Sequence, residues 1–166
     1  MSSTVGKSQL DTLTVELEQW FNDQAAENPA VRDVERDPTG ERRWFLRLIG
    51  ETKQGFTLVI HLDQRTTRYE THFMPLPEEN AAQLFEHLLI RNGQMYGASF
   101  SIAGLGPASD GPAIYLGGQI DNTSLAANLD TEMDRIVGSI YVWVDQYFLP
   151  AIKIGFASRF ATESSD

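Results

Sequence analysis

The chain contains three stretches in which apolar and polar residues alternate, the pattern of β-strands with one buried face. They run from about Trp44 to Ile49, from Phe56 to Leu62 and from Thr67 to Met74. Four residues, 63–66, join the last two stretches, which predicts a hairpin with Leu62 opposite Thr67. In this register one face of the hairpin is predicted to be core. Its residues are Phe56, Leu58, Ile60 and Leu62, opposite Phe73, Thr71, Tyr69 and Thr67.

The reverse face of these strands mixes apolar and charged side chains, as protein-binding surfaces often do. If Trp44, Leu46 and Leu48 point into the core, alternate residues of the first strand join the hairpin residues on this outer face. We predict that the outer face binds a partner, although a loop or a second copy of the chain could cover its apolar residues instead. The predicted partner-binding residues are Phe45, Arg47, Ile49, Val59, His61, Arg68, Glu70 and His72.

Apolar residues spaced by three and four predict three helices. The first begins at a capping box, Ser8-Gln9-Leu10-Asp11, and ends before Asn28-Pro29. The second begins near Pro77-Glu78-Glu79, whose carboxylates favour a helix N-terminus, and ends at Asn92-Gly93. The third begins near Asp130 or Thr131, and Pro150 predicts a kink followed by a further turn through Ile154.

Two more strands are predicted between the second and third helices, from about Tyr96 to Ile102 and from Ala113 to Ile120. A loop rich in glycine and proline, Ala103 to Pro112, separates them, and the polar segment from Ala30 to Glu41 is interpreted as a connection. The predicted order is α-β-β-β-α-β-β-α, an α+β fold with a sheet of about five strands. Residues 8–160 are expected to form one domain, with flexible tails at 1–7 and 161–166.

The composition is that of an ordinary globular protein, with 42% hydrophobic and 22% charged residues among 166. No apolar run approaches the roughly 20 residues that cross a bilayer, and no signal-peptide core follows the first residues, so a cytoplasmic location is expected. A formal charge of −10 opposes binding to nucleic acid and to anionic membranes. The absence of cysteine excludes disulfides and thiolate chemistry.

Candidate chemistry is confined to His61, Glu70 and His72 on the outer face. His61 is predicted opposite Arg68 and His72 opposite Thr57, so the two imidazoles are not direct partners and a third metal ligand is hard to place. The chain has no nucleophile elbow, phosphate-binding loop or complete dinucleotide fingerprint. We therefore expect no enzymatic activity, cofactor or metal. A hydrolase built on these three residues and a small-molecule sensor in the loop Ala103 to Pro112 are the alternatives.

Several segments, in this order, resemble the YbjN family, which is grouped with the type III secretion chaperone-like fold. They are Arg68-Tyr69-Glu70-Thr71-His72-Phe73-Met74-Pro75, Pro77-Glu78-Glu79-Asn80, Leu88-Leu89-Ile90-Arg91-Asn92, Met95-Tyr96-Gly97, Gln146-Tyr147-Phe148-Leu149-Pro150 and Gly155-Phe156-Ala157. The resemblance implies an antiparallel sheet with packed helices, often dimeric, and a role in regulation or as a chaperone. It supplies no catalytic residues.

The expectation from the sequence is thus a cytoplasmic, homodimeric, chaperone-like or regulatory protein that binds another protein without turnover. Contact is expected in a groove or at a strand edge.

Overall fold

The alternating strands form a six-stranded antiparallel sheet in the order β1-β2-β3-β4-β6-β5. The computed structural model of the chain describes residues 6–107 and 109–163, without the side chains of 161–163. Its elements are α1 (Lys7–Glu27), β1 (Val31–Arg36), β2 (Arg43–Leu48), β3 (Phe56–Leu62), β4 (Thr66–Pro75), α2 (Ala81–Asn92), β5 (Ser99–Ala103), β6 (Ala113–Asp121), α3 (Asn122–Ala127), α4 (Leu129–Gly155) and α5 (Ala157–Glu163). The α+β class is confirmed.

The predicted hairpin register is confirmed between β3 and β4. Leu58 lies opposite Thr71, and Leu62 lies opposite Thr67. Because a shift by one residue would turn every side chain to the other face, this register fixes which residues are core and which form the outer face. The inward residues of β3 are all buried.

The prediction that residues 30–41 form only a connection was wrong, and the sheet has one strand more than the expected five. Residues Val31–Arg36 form the edge strand β1, in which Glu35 lies opposite Phe45 of β2. Only Val31 and Val34 are apolar in β1, and the pairing register shifts after Val31, so no clean alternation marks the strand. A charged edge strand of this kind resists pairing with other chains.

The helices cover one face of the sheet, which we call the inner face. The ring of Trp44 in β2 lies 5.4 Å from that of Phe21 in α1, and Phe73 of β4 lies 5.8 Å from Phe148 of α4. Both inward residues are essentially fully buried. Burial of an aromatic or large aliphatic side chain contributes about 1.5–3 kcal/mol, so this face supplies most of the apolar stabilisation.

The start of α1 differs from the predicted capping box. The helix begins at Lys7, and the backbone N–H of Gly6 donates to Gln9 Oε1 at 2.9 Å, while Ser8 already lies inside the helix. The last residue of the predicted N-terminal tail, Lys7, is therefore helical. The helix α5 extends into the predicted C-terminal tail, 161–166, as far as Glu163. Residues 1–5 and 164–166 of the predicted flexible tails lie outside the described residues.

The carboxylates predicted to favour the start of α2, those of Glu78 and Glu79, contact residues of α5 instead. The helix α2 begins at Ala81, after Asn80 in the left-handed region (φ 55°). Glu79 instead accepts hydrogen bonds from the backbone N–H and hydroxyl of Ser158, in the first turn of α5. These bonds lower the pKa of Glu79, and a carboxylate at a helix N-terminus is stabilising. The short helix α5 was not predicted.

The junction between β6 and the unpredicted helix α3 is fixed by a buried amide. Asn122 is fully buried; its Oδ1 accepts from the Thr67 hydroxyl at 2.7 Å, and its Nδ2 donates to the Asp63 carbonyl at 2.7 Å. Asp121 caps α3 by accepting from the Thr123 N–H at 3.2 Å. The helix α4 then continues through Pro150 to Gly155, so the predicted further turn is confirmed. Within residues 6–107 and 109–163, no helix is long and apolar enough to span a bilayer.

The edge strand β5 begins at Ser99 rather than at Tyr96, and a side chain from α2 occupies part of its free edge. Asn92 Nδ2 donates to the Phe100 carbonyl at 3.1 Å, and the Phe100 N–H donates to Asn92 Oδ1 at 2.6 Å. The carboxamide thus takes the place that a neighbouring strand would occupy at this residue.

Replacing Asn92 tests this contact. We expect Asn92→Ala to lower the free energy of unfolding by about 1–3 kcal/mol, because two hydrogen bonds to partly buried backbone groups are lost. Asn92→Asp, which keeps an acceptor for the Phe100 N–H but no donor for its carbonyl, should fall between the wild type and Asn92→Ala. Urea unfolding followed by circular dichroism gives these values. Equal stability of all three proteins would contradict the proposed bonds.

Candidate functional site

A groove of about 480 Å³ crosses the outer face of the sheet, opposite the helices. Its lining comes from five of the six strands, so no single segment of the chain contains the site. The lining residues are Arg43, Phe45, Val59, His61, Arg68, Tyr69, Glu70, Ser101, Tyr115, Gly117 and Gly118.

Five of the eight predicted partner-binding residues come together in this groove: Phe45, Val59, His61, Arg68 and Glu70. The strand pairing explains their proximity. Phe45 lies opposite Val59, and Val59 lies opposite Glu70, so one row runs across β2, β3 and β4. His61 and Arg68 form the neighbouring pair. Both apolar members of the row are half-buried without a covering helix among the described residues.

The other three predicted residues lie outside the groove lining. Arg47 donates to Asp33 at 2.8 Å and to Glu35 at 3.3 Å, which ties β2 to β1, and the hydrogen bond to Asp33 is the main cause that raises the pKa of Arg47. Ile49 follows the end of β2 and is 43% exposed. His72 packs edge-on against Tyr115, with ring centroids 5.5 Å apart.

Sequence reasoning missed the residues that β5 and β6 bring to the groove. Tyr115 lies opposite both His72 of β4 and Ser101 of β5, and Gly117 lies opposite Glu70. A Cβ atom on Gly117 would overlap the Tyr69 carbonyl oxygen, so glycine is required where β6 approaches β4. The Gly117-Gly118 pair within a predicted strand was the available signal of such a close approach.

The cationic side chains of the groove are paired with acids of the same chain. Arg43 Nη1 lies 3.1 Å from Asp37, whose pKa is lowered chiefly by hydrogen bonds from Thr39. Arg68 Nε lies 2.9 Å from Asp63, and His61 Nε2 lies 3.4 Å from the same carboxylate. Both arginines of the groove therefore have a nearby negative counterpart.

Glu70 differs from these residues, because among the described residues its carboxylate has no hydrogen-bond or ion-pair partner. Val59 and Gly117 flank it on the neighbouring strands, and neither carries a charge. Its side chain is exposed to solvent in the present structure. The lining of the groove consequently contains one exposed carboxylate that makes no hydrogen bond or ion pair with the described residues.

The structure does not assemble the residues of the hydrolase alternative into one cluster. His61 Nδ1 lies 3.2 Å from Arg68 Nη2, and its other nitrogen faces Asp63 and, at 3.8 Å, Glu41. His72 packs on Tyr115 instead, and its pKa is lowered by burial and, to a smaller extent, by the positive charge of Lys53. In the part of the chain that the structure describes, no group of three His, Asp or Glu residues is placed to hold a metal ion.

The loop predicted as an alternative sensing site is closed by its own hydrogen bonds. Ser109 Oγ donates to the carbonyl oxygens of Gly104 and, at 3.0 Å, Gly106. The φ angles of Gly104 and Gly111 are both positive, which glycine accommodates without strain. Ala108 lies outside the described residues.

Comparison with known proteins finds relatives in mycobacteria. An uncharacterized protein of Mycobacterium tuberculosis and one of Mycobacterium bovis are each 28% identical to this chain over 119 residues, which is 72% of this chain and 60% of theirs. An uncharacterized protein of Mycobacterium leprae is 26% identical over 126 residues, covering 76% of this chain and 64% of its own length. The chain thus spans less than two thirds of these relatives. No family model matches.

A lysine supports β4 from the loop between β2 and β3. Lys53 Nζ donates to the carbonyl oxygens of His72 at 2.8 Å and Phe73 at 2.9 Å, and lies 5.0 Å from the centre of the Phe148 ring. The loop is held in place by Asp145 of α4, which accepts from the N–H groups of Glu51 and Thr52. Burial lowers the pKa of Lys53 to about 8.

We expect the Lys53 amine to titrate near pH 8 in the folded protein, against 10.5 in the unfolded chain. Because the unfolded state then binds more protons between these two values, folding stability should rise with pH across that window. The chain has three lysines, so 13Cε NMR resolves the titration and a Lys53→Arg variant assigns it. In the arginine variant the rise in stability should disappear. A Lys53 midpoint near 10.5 would contradict the effect of burial.

Proposed function

We propose that this chain is a non-enzymatic, chaperone-like or regulatory protein whose outer-face groove binds an extended segment of another protein. The observation that carries the proposal is the half-burial of Phe45 and Val59 in an open groove of about 480 Å³. Contiguous apolar groups surrounded by polar ones are a common feature of interaction sites. Membership of the YbjN family, a type III secretion chaperone-like fold and a cytoplasmic location belong to the same proposal.

The groove is better suited than the β5 edge to receive the partner. Asn92 already bonds both backbone groups of Phe100, so a partner strand could not pair there without displacing it. The edge strand β1 carries charged side chains along most of its length. An extended segment lying on the outer face needs neither edge, because its side chains can contact the side chains that line the groove.

The charges of the groove favour a basic partner segment. Arg43 and Arg68 are paired with Asp37 and Asp63, whereas Glu70 has no partner among the described residues. A lysine or arginine side chain of the partner would neutralise Glu70, and the Tyr115 and Phe45 rings that line the same groove provide aromatic surfaces for a cation. The formal charge of −10 would also steer a basic segment toward the protein.

Charge reversal at Glu70 tests the proposal. The probe is a fluorescently labelled synthetic peptide of about ten residues that alternates valine with lysine, an arrangement suited to an extended strand. We expect the wild type to bind it, and Glu70→Lys to weaken binding about tenfold to a hundredfold, because one charged contact contributes roughly 1.5–3 kcal/mol. Fluorescence anisotropy measures the affinity, and amide NMR shifts on β3, β4 and β6 locate the peptide.

The matched control reverses a charge elsewhere. Glu16 is an exposed residue of α1, which packs on the inner face, so Glu16→Lys changes the net charge equally but leaves the groove intact. A peptide that alternates valine with glutamate controls for apolar binding alone. If Glu16→Lys and Glu70→Lys weaken peptide binding equally, the loss of affinity follows from the net charge and not from a contact in the groove. Failure of both peptides to bind the wild type would contradict the proposed groove.

A further inference from the structure

His61 lies in the outer-face groove with charged groups on every side of its ring. In the sheet it is placed opposite Arg43 of β2 and opposite Arg68 of β4. Asp63, from the connection between β3 and β4, and Glu41, from the connection between β1 and β2, approach its Nε2 atom. The His61 side chain is 18% exposed. A proton added to the imidazole therefore acts directly on these four groups.

The contacts of the two ring nitrogens are compatible with one protonation state of His61. Its Nδ1 lies 3.2 Å from Arg68 Nη2. A guanidinium can only donate hydrogen bonds, so Nδ1 accepts and carries no proton. Nε2 lies 3.4 Å from Asp63 Oδ1 and 3.8 Å from Glu41 Oε2, both of which are acceptors. The structure therefore contains a neutral imidazole whose single proton is on Nε2, directed toward the two carboxylates.

Protonation of His61 is incompatible with the present position of Arg68. The added proton would be on Nδ1, where it would face an N–H group of the guanidinium, and two positive charges would be in contact. The imidazolium would at the same time attract Asp63. Arg68 Nε already lies 2.9 Å from Asp63 Oδ2, so the two cations would compete for one carboxylate.

Glu70 is a second carboxylate within reach of Arg68. The two residues are separated by one residue in β4, so their side chains leave the same face of the sheet with Cβ atoms roughly 7 Å apart. The Arg68 side chain is 57% exposed, which leaves it room to change direction. Arg43 is instead held by Asp37, a buried carboxylate. Of the two arginines beside the imidazole, Arg68 is therefore the one that can move.

The nearest other arginines are already paired with helix α1. His61 also lines a cleft of about 680 Å³ that lies between α1 and the connections at this end of the sheet. In that cleft Arg42 Nη2 lies 2.6 Å from Asp11 Oδ1, and Arg36 pairs with Glu18. Neither arginine therefore competes for the carboxylates beside the imidazole.

We propose that His61 is a pH-dependent switch of the groove, in which protonation transfers Arg68 from Asp63 to Glu70. The inference rests on the proposed binding of a basic segment, because Glu70 is the carboxylate with which that segment would pair. While the imidazole is neutral, Arg68 stays on Asp63 and Glu70 is open to the partner. After protonation, Arg68 neutralises Glu70 from within the chain and the imidazolium adds a positive charge to the groove. Both effects oppose the binding of a basic segment.

Imidazole NMR of the full chain tests the switch without any peptide. The chain has three histidines, so 15N-labelled histidine resolves them and His61→Gln assigns one signal. We expect His61 to be protonated on Nε2 alone at pH 8. As it titrates, the Glu70 13Cδ signal should shift in the wild type and shift less in Arg68→Gln, which lacks the guanidinium. A proton on Nδ1 alone at pH 8, or a Glu70 signal that ignores the His61 titration, would overturn the switch.

The labelled valine–lysine peptide, acetylated at its N-terminus, then tests the effect on the groove. Its lysines stay protonated between pH 5.5 and pH 8, so a change of affinity comes from the protein. By fluorescence anisotropy we expect the dissociation constant of the wild type to be about tenfold higher at pH 5.5, because the contact with Glu70 is lost. In His61→Gln it should change less than about twofold. Glutamine can accept from Arg68 and donate to Asp63 as the neutral imidazole does, but it takes up no proton.

The matched control is His87→Gln, which removes a histidine of α2 and should retain the tenfold pH dependence. Equal affinity of the wild type at both pH values would contradict the switch, and so would an equal loss of affinity in His61→Gln. A peptide that does not bind the wild type at pH 8 contradicts the proposed groove, and the NMR titration then decides the switch independently. Thermal unfolding followed by circular dichroism at both pH values checks that each variant is folded.

Discussion

The structure depends on the burial of one face of the sheet by the helices. The strands β2 and β3 alternate along their whole length and β4 alternates as far as Phe73, so their inward residues pack against α1 and α4, as Trp44 does against Phe21 and Phe73 against Phe148. Because alternation has a period of two, the same backbone necessarily presents a second set of side chains on the reverse. No described helix covers that second set. The outer-face groove is therefore a direct consequence of one-sided packing and needs no additional element to form it.

The sequence was sufficient to predict the parts of the fold that rest on local periodicity. The pairing of Leu58 with Thr71 followed from the hairpin connection, and the stripe of α4 followed from helical spacing. The strand β1 could not be predicted in this way, since its charged residues gain strand structure by pairing with β2 and through the Arg47 bonds to Asp33 and Glu35. The contact that Glu79 makes with Ser158 could likewise not be predicted from local sequence, because α5 lies about eighty residues further along the chain.

The candidate site was predictable only as far as β4, the last strand that a short connection joins to its neighbour in the sheet. Phe45, Val59 and Glu70 were identified because consecutive strands place them in one row. Tyr115 and Gly117 could not be identified in this way, because β6 pairs with β4 although α2 and β5 lie between these two strands in the sequence. Gly117 contributes through the absence of a side chain, because a Cβ atom there would overlap the Tyr69 carbonyl oxygen of β4. Periodicity alone contains no information on such a contact.

The charges of the groove determine which kind of segment the proposed site would favour. Arg43 and Arg68 are each paired with an acid of the same chain, whereas among the described residues the Glu70 carboxylate has no hydrogen-bond or ion-pair partner. An acidic segment would bring a second negative charge close to that carboxylate, whereas a basic segment would form an ion pair with it. The proposed preference for a basic segment therefore rests on the one carboxylate of the groove lining that the described part of the chain does not pair.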